Sequence, residues 1–442
     1  MVLAIFVATV LIANICGTDV SAALLGACVG TIVYQVITGF QSPMFISSCG
    51  ATVSAVCGAL SVNGTEGNYL MVICGGAIIL LIYAIMALII KKIGMGAINK
   101  ILPPAIVGSI TVVIGMNLAK FLVTYCGQGG GLSLTDGSLV AQMIIAIITM
   151  LTVAIVSHYG KGFLKNIPFL IGIGVGYVAA IITTYCFGIP LVDFSTFKDI
   201  SIIGVPDAAF TKIDPSHWSW ANLGQTALYF VPVALAAVCE HWADHRTLSG
   251  IVGTDLTVTP GMHKTLLGDG VASCVGTMLC GLPNTSYGES IATIGFSRVA
   301  SVWVTSAAAL LTGALAFIPA VSALINSIPA CVFGGCAMIL YGYIAASGLR
   351  TLSANVNLDD NKSLILVSVV LTVGVSGVAF LTSAFGGVSL ALIIGLLVHL
   401  ILRPKKANKE KRQQNRCEFT YFNRNFFLLG TDLLSYYVEN RD

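Results

Sequence analysis

Charge is scarce in this chain. Lys, Arg, Asp and Glu together make up 9% of its 442 residues, against roughly 25% in ordinary soluble domains, and the mean hydropathy is +0.92. A water-soluble globular fold is excluded by that balance. Signatures of metal and nucleotide chemistry are missing as well. The 13 cysteines follow no metal-ligand spacing, and Cys28, Cys57, Cys274 and Cys336 lie inside apolar runs, where they read as small apolar side chains. The run Gly129-Gly130-Gly131 is not followed by the Lys and Ser/Thr of a phosphate-binding loop, and no Ser-His-Asp arrangement occurs. An enzyme, a resident cofactor and a nucleic-acid partner are therefore not expected. Met1 opens directly on an apolar run without a basic leader, so no cleavable signal is read there.

What the chain does contain is apolar sequence, 56% of the residues, and 47 glycines. In lipid, where apolar side chains gain little by meeting one another, small residues let helix backbones approach and pack. The expected fold class is therefore all-α and polytopic. Fourteen apolar segments run over 1–16, 20–40, 44–60, 68–90, 101–124, 138–157, 166–188, 222–245, 264–281, 283–297, 299–320, 322–347, 362–383 and 385–402. Basic residues fall after even-numbered segments, at Lys91, Lys92, Lys100, Lys161, Lys165, Arg246, Lys264 and Arg350. The positive-inside rule then puts both termini in the cytoplasm. The longest polar connection, Pro190 to Ala221, follows segment seven on the outer side and ends in Trp218 and Trp220, read as interfacial anchors.

That connection divides the segments into two groups of seven. Because seven is odd, any repeat between the groups is inverted. Pro104-Ala105-Ile106-Val107-Gly108 echoes Pro329-Ala330-Cys331-Val332-Phe333-Gly334. Pro43 to Gly50 stands in segment three where Pro283 to Ser290 stands in segment ten. Beyond Leu402 the chain turns basic and polar, and residues 403–442 are read as a cytoplasmic tail.

Pro283 to Ser297 is too short to cross as a helix. At ~1.5 Å per residue it reaches about 22 Å of a core roughly 30 Å thick. With Pro283 to Tyr287 extended and the rest helical it reaches about 31 Å. A broken span leaves backbone N–H groups bare at mid-membrane, so it must line a protein cavity, with Gly288 at the break and the carboxylate of Glu289 beside the amides. A re-entrant loop with a structurally tied carboxylate is the alternative. A second cluster closes segment eight: Glu240 and Asp244 share one helix face at i, i+4, and His241 and His245 share a neighbouring one. Two carboxylates one turn apart near a low-dielectric cavity can carry a proton. The cluster also fits the wet end of an ordinary helix. His158, His217 and His263 read as loop or interface side chains, and His399, near the cytoplasmic end of segment fourteen, as reaching toward water.

Glu240-His241 followed by Pro283-Asn284-Thr285-Ser286-Tyr287-Gly288-Glu289-Ser290, with Pro260-Gly261-Met262-His263 and Arg298-Val299, resembles the nucleobase-ascorbate transporter family, nearest its bacterial uracil-transporting members. The likeness runs to about Leu402. It implies a fourteen-span inverted repeat with short strands in broken spans three and ten. A core domain comprises 1–98 and 222–320, a gate domain comprises 99–190 and 321–402, and 191–221 is the outer loop. By resemblance Glu240 and Glu289 bind the base, and Gly288, Gly50, Tyr287 and Cys49 contact it. The resemblance also implies transport coupled to a proton, for which the carboxylate pair Glu240 and Asp244 is the candidate carrier, and a homodimer through the gate domains.

Some positions depart from the family pattern. Asp244 stands where uracil-transporting members often have a histidine. Ser290, Ala292 and Ser297 stand where the signature has Asn, Gly and Thr, and the aromatic residue of span three is absent. Proton-coupled uptake of uracil is the expected activity. Xanthine or urate transport by the same family, an anion transporter of the related seven-plus-seven architecture, and a nucleobase receptor that does not transport are the alternatives.

Overall fold

The computed structural model describes residues 2–48, 50–62, 68–94, 102–119, 137–162, 164, 167–197, 203–205, 213–286, 288–378 and 387–402. The tail 403–442 expected in the cytoplasm lies outside the described residues. The helices in chain order are α1 (Val2–Cys16), α2 (Val20–Ile37), α3 (Val53–Leu60), α4 (Tyr69–Ile93), α5 (Pro104–Leu118), α6 (Gly137–Tyr159), α7 (Pro168–Phe187), α8 (Trp220–Val252), α9 (Met262–Met278), α10 (Gly288–Ser297), α11 (Val302–Ala316), α12 (Pro319–Asn326), α13 (Ala330–Asn355), α14 (Asn361–Val375) and α15 (Val388–Ile401). Among the described residues two strands, β1 (Ile46–Ser48) and β2 (Asn284–Ser286), interrupt them. A first compact unit covers Met1–Leu396. A second begins at Leu397, in the last turns of α15.

By length and composition α2, α4, α6, α7, α8 and α13 can each cross a membrane, and α11 with α12 counts as a further candidate bent by 79°. The bend falls at Phe317-Ile318, ahead of Pro319, whose ring forbids an uninterrupted helix. The apolar segment expected from 322 thus divides into the end of α12 and the start of α13, which Pro329 caps. The segment expected at 222–245 is longer than expected. The Ser219 hydroxyl caps Asn222, and α8 runs 33 residues to Gly253, which ends it in the left-handed conformation. At ~1.5 Å per residue that is about 50 Å, well beyond the ~30 Å hydrocarbon core.

Helices pack in two groups. α9 lies against α2 and α4, with α11 on α2 and α8 on α4, while α13 lies against α5, α6 and α7, with α14 on α5. Backbones touch in both. A Cβ at Gly348 of α13 would sit 2.6 Å from the Gly108 oxygen and the Val112 nitrogen of α5, and one at Gly115 would sit 2.6 Å from the Ala345 nitrogen. The two proline-led echoes, α5 and α13, are therefore direct neighbours joined along a glycine seam. Gly348→Leu forces that seam apart at a cost of about 1–3 kcal/mol or more. Its expected result is a lower melting temperature in detergent than wild type.

The turn from α8 to α9 is pinned to α8. The Ser249 hydroxyl donates to the His245 carbonyl at 2.6 Å and accepts the Leu256 N–H at 3.0 Å. Next to it, the hydroxyl and N–H of Thr257 bond Asp255 and hold that carboxyl below the usual carboxylate range. This connection sets α9 against α8 at the level of the polar cluster described below.

Candidate functional site

Pro43 and Pro283 each precede an extended stretch, since a proline fixes its own φ and biases its neighbour away from helix. β1 and β2 follow, and they pair antiparallel with Ile46 opposite Ser286, Ser47 opposite Thr285 and Ser48 opposite Asn284. Each then gives way to a short helix, β1 through a 3₁₀ turn at Gly50–Thr52 into α3, and β2 into α10. Bare N–H groups at the start of a helix favour negative charge and hydrogen-bond acceptors. The two starts leave the ladder at its opposite ends, and both pack on α8.

The helix before each strand holds it by a hydroxyl at the same position. Thr31, eleven residues after the start of α2, donates to the Ile46 carbonyl at 2.8 Å and accepts its N–H at 3.1 Å. Ser273, eleven residues after the start of α9, donates to the Asn284 carbonyl. Asn284 in turn donates to the carbonyls of Gly26 at 2.8 Å and Ala272 at 3.3 Å. It fits there because Gly30 and Gly276 lack side chains. A Cβ at either would lie 2.5 Å or 2.4 Å from the amide nitrogen. A bond of 3.2 Å from the Phe45 N–H to the Ser290 hydroxyl ties the approach to β1 to α10.

α8 packs against α3, the Gly50–Thr52 turn, β2 and α10. Glu240 and Asp244 are half-buried on it, whereas His241 and His245 are fully buried. α8 continues past this cluster to Val252. His241 Nδ1 lies 2.7 Å from Asp269 Oδ2, and its Nε2 lies 3.1 Å from the Thr265 hydroxyl. Asp269 Oδ2 also accepts from the Thr285 hydroxyl at 3.0 Å and the Ser286 N–H at 3.3 Å, so α9 clamps β2 through one carboxylate. His245 Nδ1 donates to the His241 carbonyl at 2.9 Å, and its Nε2 lies 2.8 Å from the Tyr34 hydroxyl, which bonds Ser42 at 2.9 Å.

Of the residues singled out in the sequence, Glu240 and Asp244 share α8, while Gly50 and Gly288 open the two helical starts behind the strands. Gly288 is exposed, with open space where a Cβ would stand. Glu289 is the second residue of α10. Cys49 and Tyr287 lie outside the described residues. Sequence reasoning missed Asp269, Tyr34 and Thr31. A signal for the first was present, because Thr265, Asp269, Ser273 and Thr277 recur every fourth residue along α9 and form a polar stripe.

The permease-family profile matches residues 1–383. The chain is 35% identical over 413 residues to the uracil permease of Bacillus caldolyticus, covering 91% of each chain. It is 34% identical over 410 residues to the uracil permease of Bacillus subtilis (strain 168), again covering 91% of each. Among solved structures, the transmembrane domain of a cyanobacterium bicarbonate transporter, BicA, superposes with a TM-score of 0.54 at 12% identity, over 90% of this chain and 94% of that one. At that identity the likeness is one of fold.

Proposed function

This chain belongs to the nucleobase-ascorbate transporter family, and on that premise we propose that it takes up a nucleobase, uracil first, together with a proton by alternating access. It is a multi-pass membrane permease, and the chemistry asked of it is binding and release. The antiparallel pairing of β1 with β2 carries the reading, because the helical segments that follow both strands pack on α8, the helix that bears Glu240.

Uracil is a flat, neutral ring whose edge alternates N–H donors with C=O acceptors. In this reading the carboxylates of Glu240 and Glu289 take the ring N–H groups. Amides at the start of α10, beside Gly288, and at the turn opened by Gly50 serve the carbonyls, with Cys49 and Tyr287 completing the contact. Each charge-assisted bond contributes roughly 1.5–3 kcal/mol net. A base of this kind needs no compensating charge in the pocket. An anion would be repelled by the same carboxylates, which weighs against the anion reading that the shared fold would otherwise allow.

The proposal includes fourteen crossings in an inverted seven-plus-seven repeat, with β1–α3 and β2–α10 as half-helical crossings and both termini in the cytoplasm. The matched hydroxyls of Thr31 and Ser273 support the repeat. The two packing groups support a core of spans one to four and eight to eleven, moving elevator-like against a gate of spans five to seven and twelve to fourteen, with dimerisation through the gate. Uptake of radiolabelled uracil into proteoliposomes, with and without an inward proton gradient, tests the activity. Expected are gradient-driven accumulation, weaker competition by xanthine and none by sulfate. Sulfate competition would instead favour the anion reading. Glu240 and Asp244 accept and release the proton in this scheme, so Asp244→Asn is expected to flatten the pH dependence of uptake. An unchanged pH profile would remove Asp244 from coupling.

A further inference from the structure

The two histidines of α8 raise a question of proton accounting that the acid pair beside them does not answer. Their rings lie with centroids 4.1 Å apart, tilted by 32°, and both are fully buried. Two imidazolium charges at that separation in a low-dielectric interior repel strongly, so the pair holds at most one. The groups that reach His245 are His241 beside it on α8, Asp269 from α9 and Tyr34 from α2, with the Ser42 hydroxyl behind Tyr34. α10, which packs on α8, has Glu289 as its second residue, and α8 itself carries the half-buried Glu240 and Asp244.

Certain donors are fixed by their partners. His245 Nδ1 faces a carbonyl, so it carries hydrogen, and the Thr265 hydroxyl has the Met262 carbonyl 3.1 Å away as an outlet for its own. With one further proton in the array, three arrangements leave these contacts satisfied. In the first, the proton is on Asp269, which donates to His241 Nδ1 while His241 Nε2–H donates to Thr265. In the second, it is on His241, which then donates from both nitrogens to an ionised Asp269 and to Thr265. In both of these, Tyr34 donates to His245 Nε2. In the third, it is on His245, whose Nε2–H donates to Tyr34, and Tyr34 turns its own hydrogen to Ser42. His241 then donates only to Asp269, and Thr265 donates to His241 Nε2.

Moving the proton rearranges hydroxyl hydrogens and leaves heavy atoms in place. A move from Asp269 to either histidine also ionises that carboxylate, the acceptor that holds Thr285 and the Ser286 N–H of β2.

We propose that Asp269, His241 and His245 share one exchangeable proton, and that Tyr34 is the positioning residue whose hydroxyl rotor stabilises it on His245. The array is a buried stage of proton coupling, distinct from the half-buried Glu240–Asp244 pair, and it reports at β2 through Asp269. This inference rests on the proton-coupled reading given above for its biological role, while the shared proton itself does not depend on any substrate.

The test is a ¹⁵N titration of histidine-labelled protein in lipid, read by NMR, on wild type, Tyr34→Phe and His245→Gln. In wild type the His241 and His245 resonances are expected to move together, with uptake of a single proton between them. In Tyr34→Phe the proton loses its partner at His245 Nε2, so His245 keeps one tautomer across the range and His241 titrates alone. In His245→Gln, His241 titrates with a displaced midpoint. Two independent titrations in wild type, or a Tyr34→Phe spectrum identical to wild type, overturn the proposal. Uptake assays on the same variants separate the two readings. Wild type that accumulates no uracil removes the nucleobase reading and leaves the titration standing. Variants with altered titration but a wild-type pH profile of uptake overturn the coupling role.

Discussion

Glu289→Gln is expected to lower uracil uptake on the order of 100-fold or more while leaving the protein in the membrane. Glutamine keeps the length of the side chain and removes its charge and one of its acceptor oxygens. A ring N–H that met a carboxylate then meets a neutral amide, losing a charge-assisted bond of roughly 1.5–3 kcal/mol and risking a donor facing a donor. Glu289 stands second in α10, one residue after the exposed Gly288 that starts the helix. Membrane abundance measured beside uptake separates loss of binding from loss of protein. Wild-type uptake by this variant would falsify the assignment of Glu289.

Asp269→Ala should produce the largest loss of stability of any single polar change in the buried array. One carboxylate oxygen receives three groups, from His241 at 2.7 Å, Thr285 at 3.0 Å and the Ser286 N–H at 3.3 Å, and all three residues are buried. Removing it strands a buried imidazole, a hydroxyl and a strand N–H together, at a cost of about 3–5 kcal/mol. The expected result is a sharply lower melting temperature and no uptake. Asp269→Asn restores an acceptor of the same shape and should recover much of the stability. Because an amide takes no proton in this range, recovery of stability without recovery of pH-dependent uptake would separate the clamp from the coupling role. Equal stability of the alanine variant and wild type would mean that β2 is held by other bonds, with Ser273 the first to examine.

Much of this arrangement was legible in the residues. The two interrupted segments announced themselves through Pro43 and Pro283 and through serines and threonines where an apolar span has none, and strands stand at Ile46–Ser48 and Asn284–Ser286. The proline-led echoes at Pro104 and Pro329 also fall where helices begin, and those helices pack together. What could not be read was partnership across the chain. Tyr34 is one aromatic residue in an apolar helix, and nothing local says that its hydroxyl meets a histidine 211 positions later. Thr31 looks like a helical threonine that would bond its own backbone, yet it spends both hydrogen-bonding roles on Ile46. The reach of α8 was underestimated because charges from Glu240 to Arg246 lower the hydropathy, while helix formation depends on packing that buries His241, His245 and Leu248.

The strand ladder joins residues some 240 positions apart, Ile46 with Ser286, and this bears on how the protein is made. At 5–20 residues per second, a ribosome needs roughly 10–50 s to deliver the second strand after the first. For that interval the amides and carbonyls of the first strand have no ladder, in a medium where each unmet group costs several kcal/mol. The nascent N-terminal half must therefore wait in the translocation machinery, at the bilayer surface or around trapped water, and commit to its final depth only when the C-terminal half arrives.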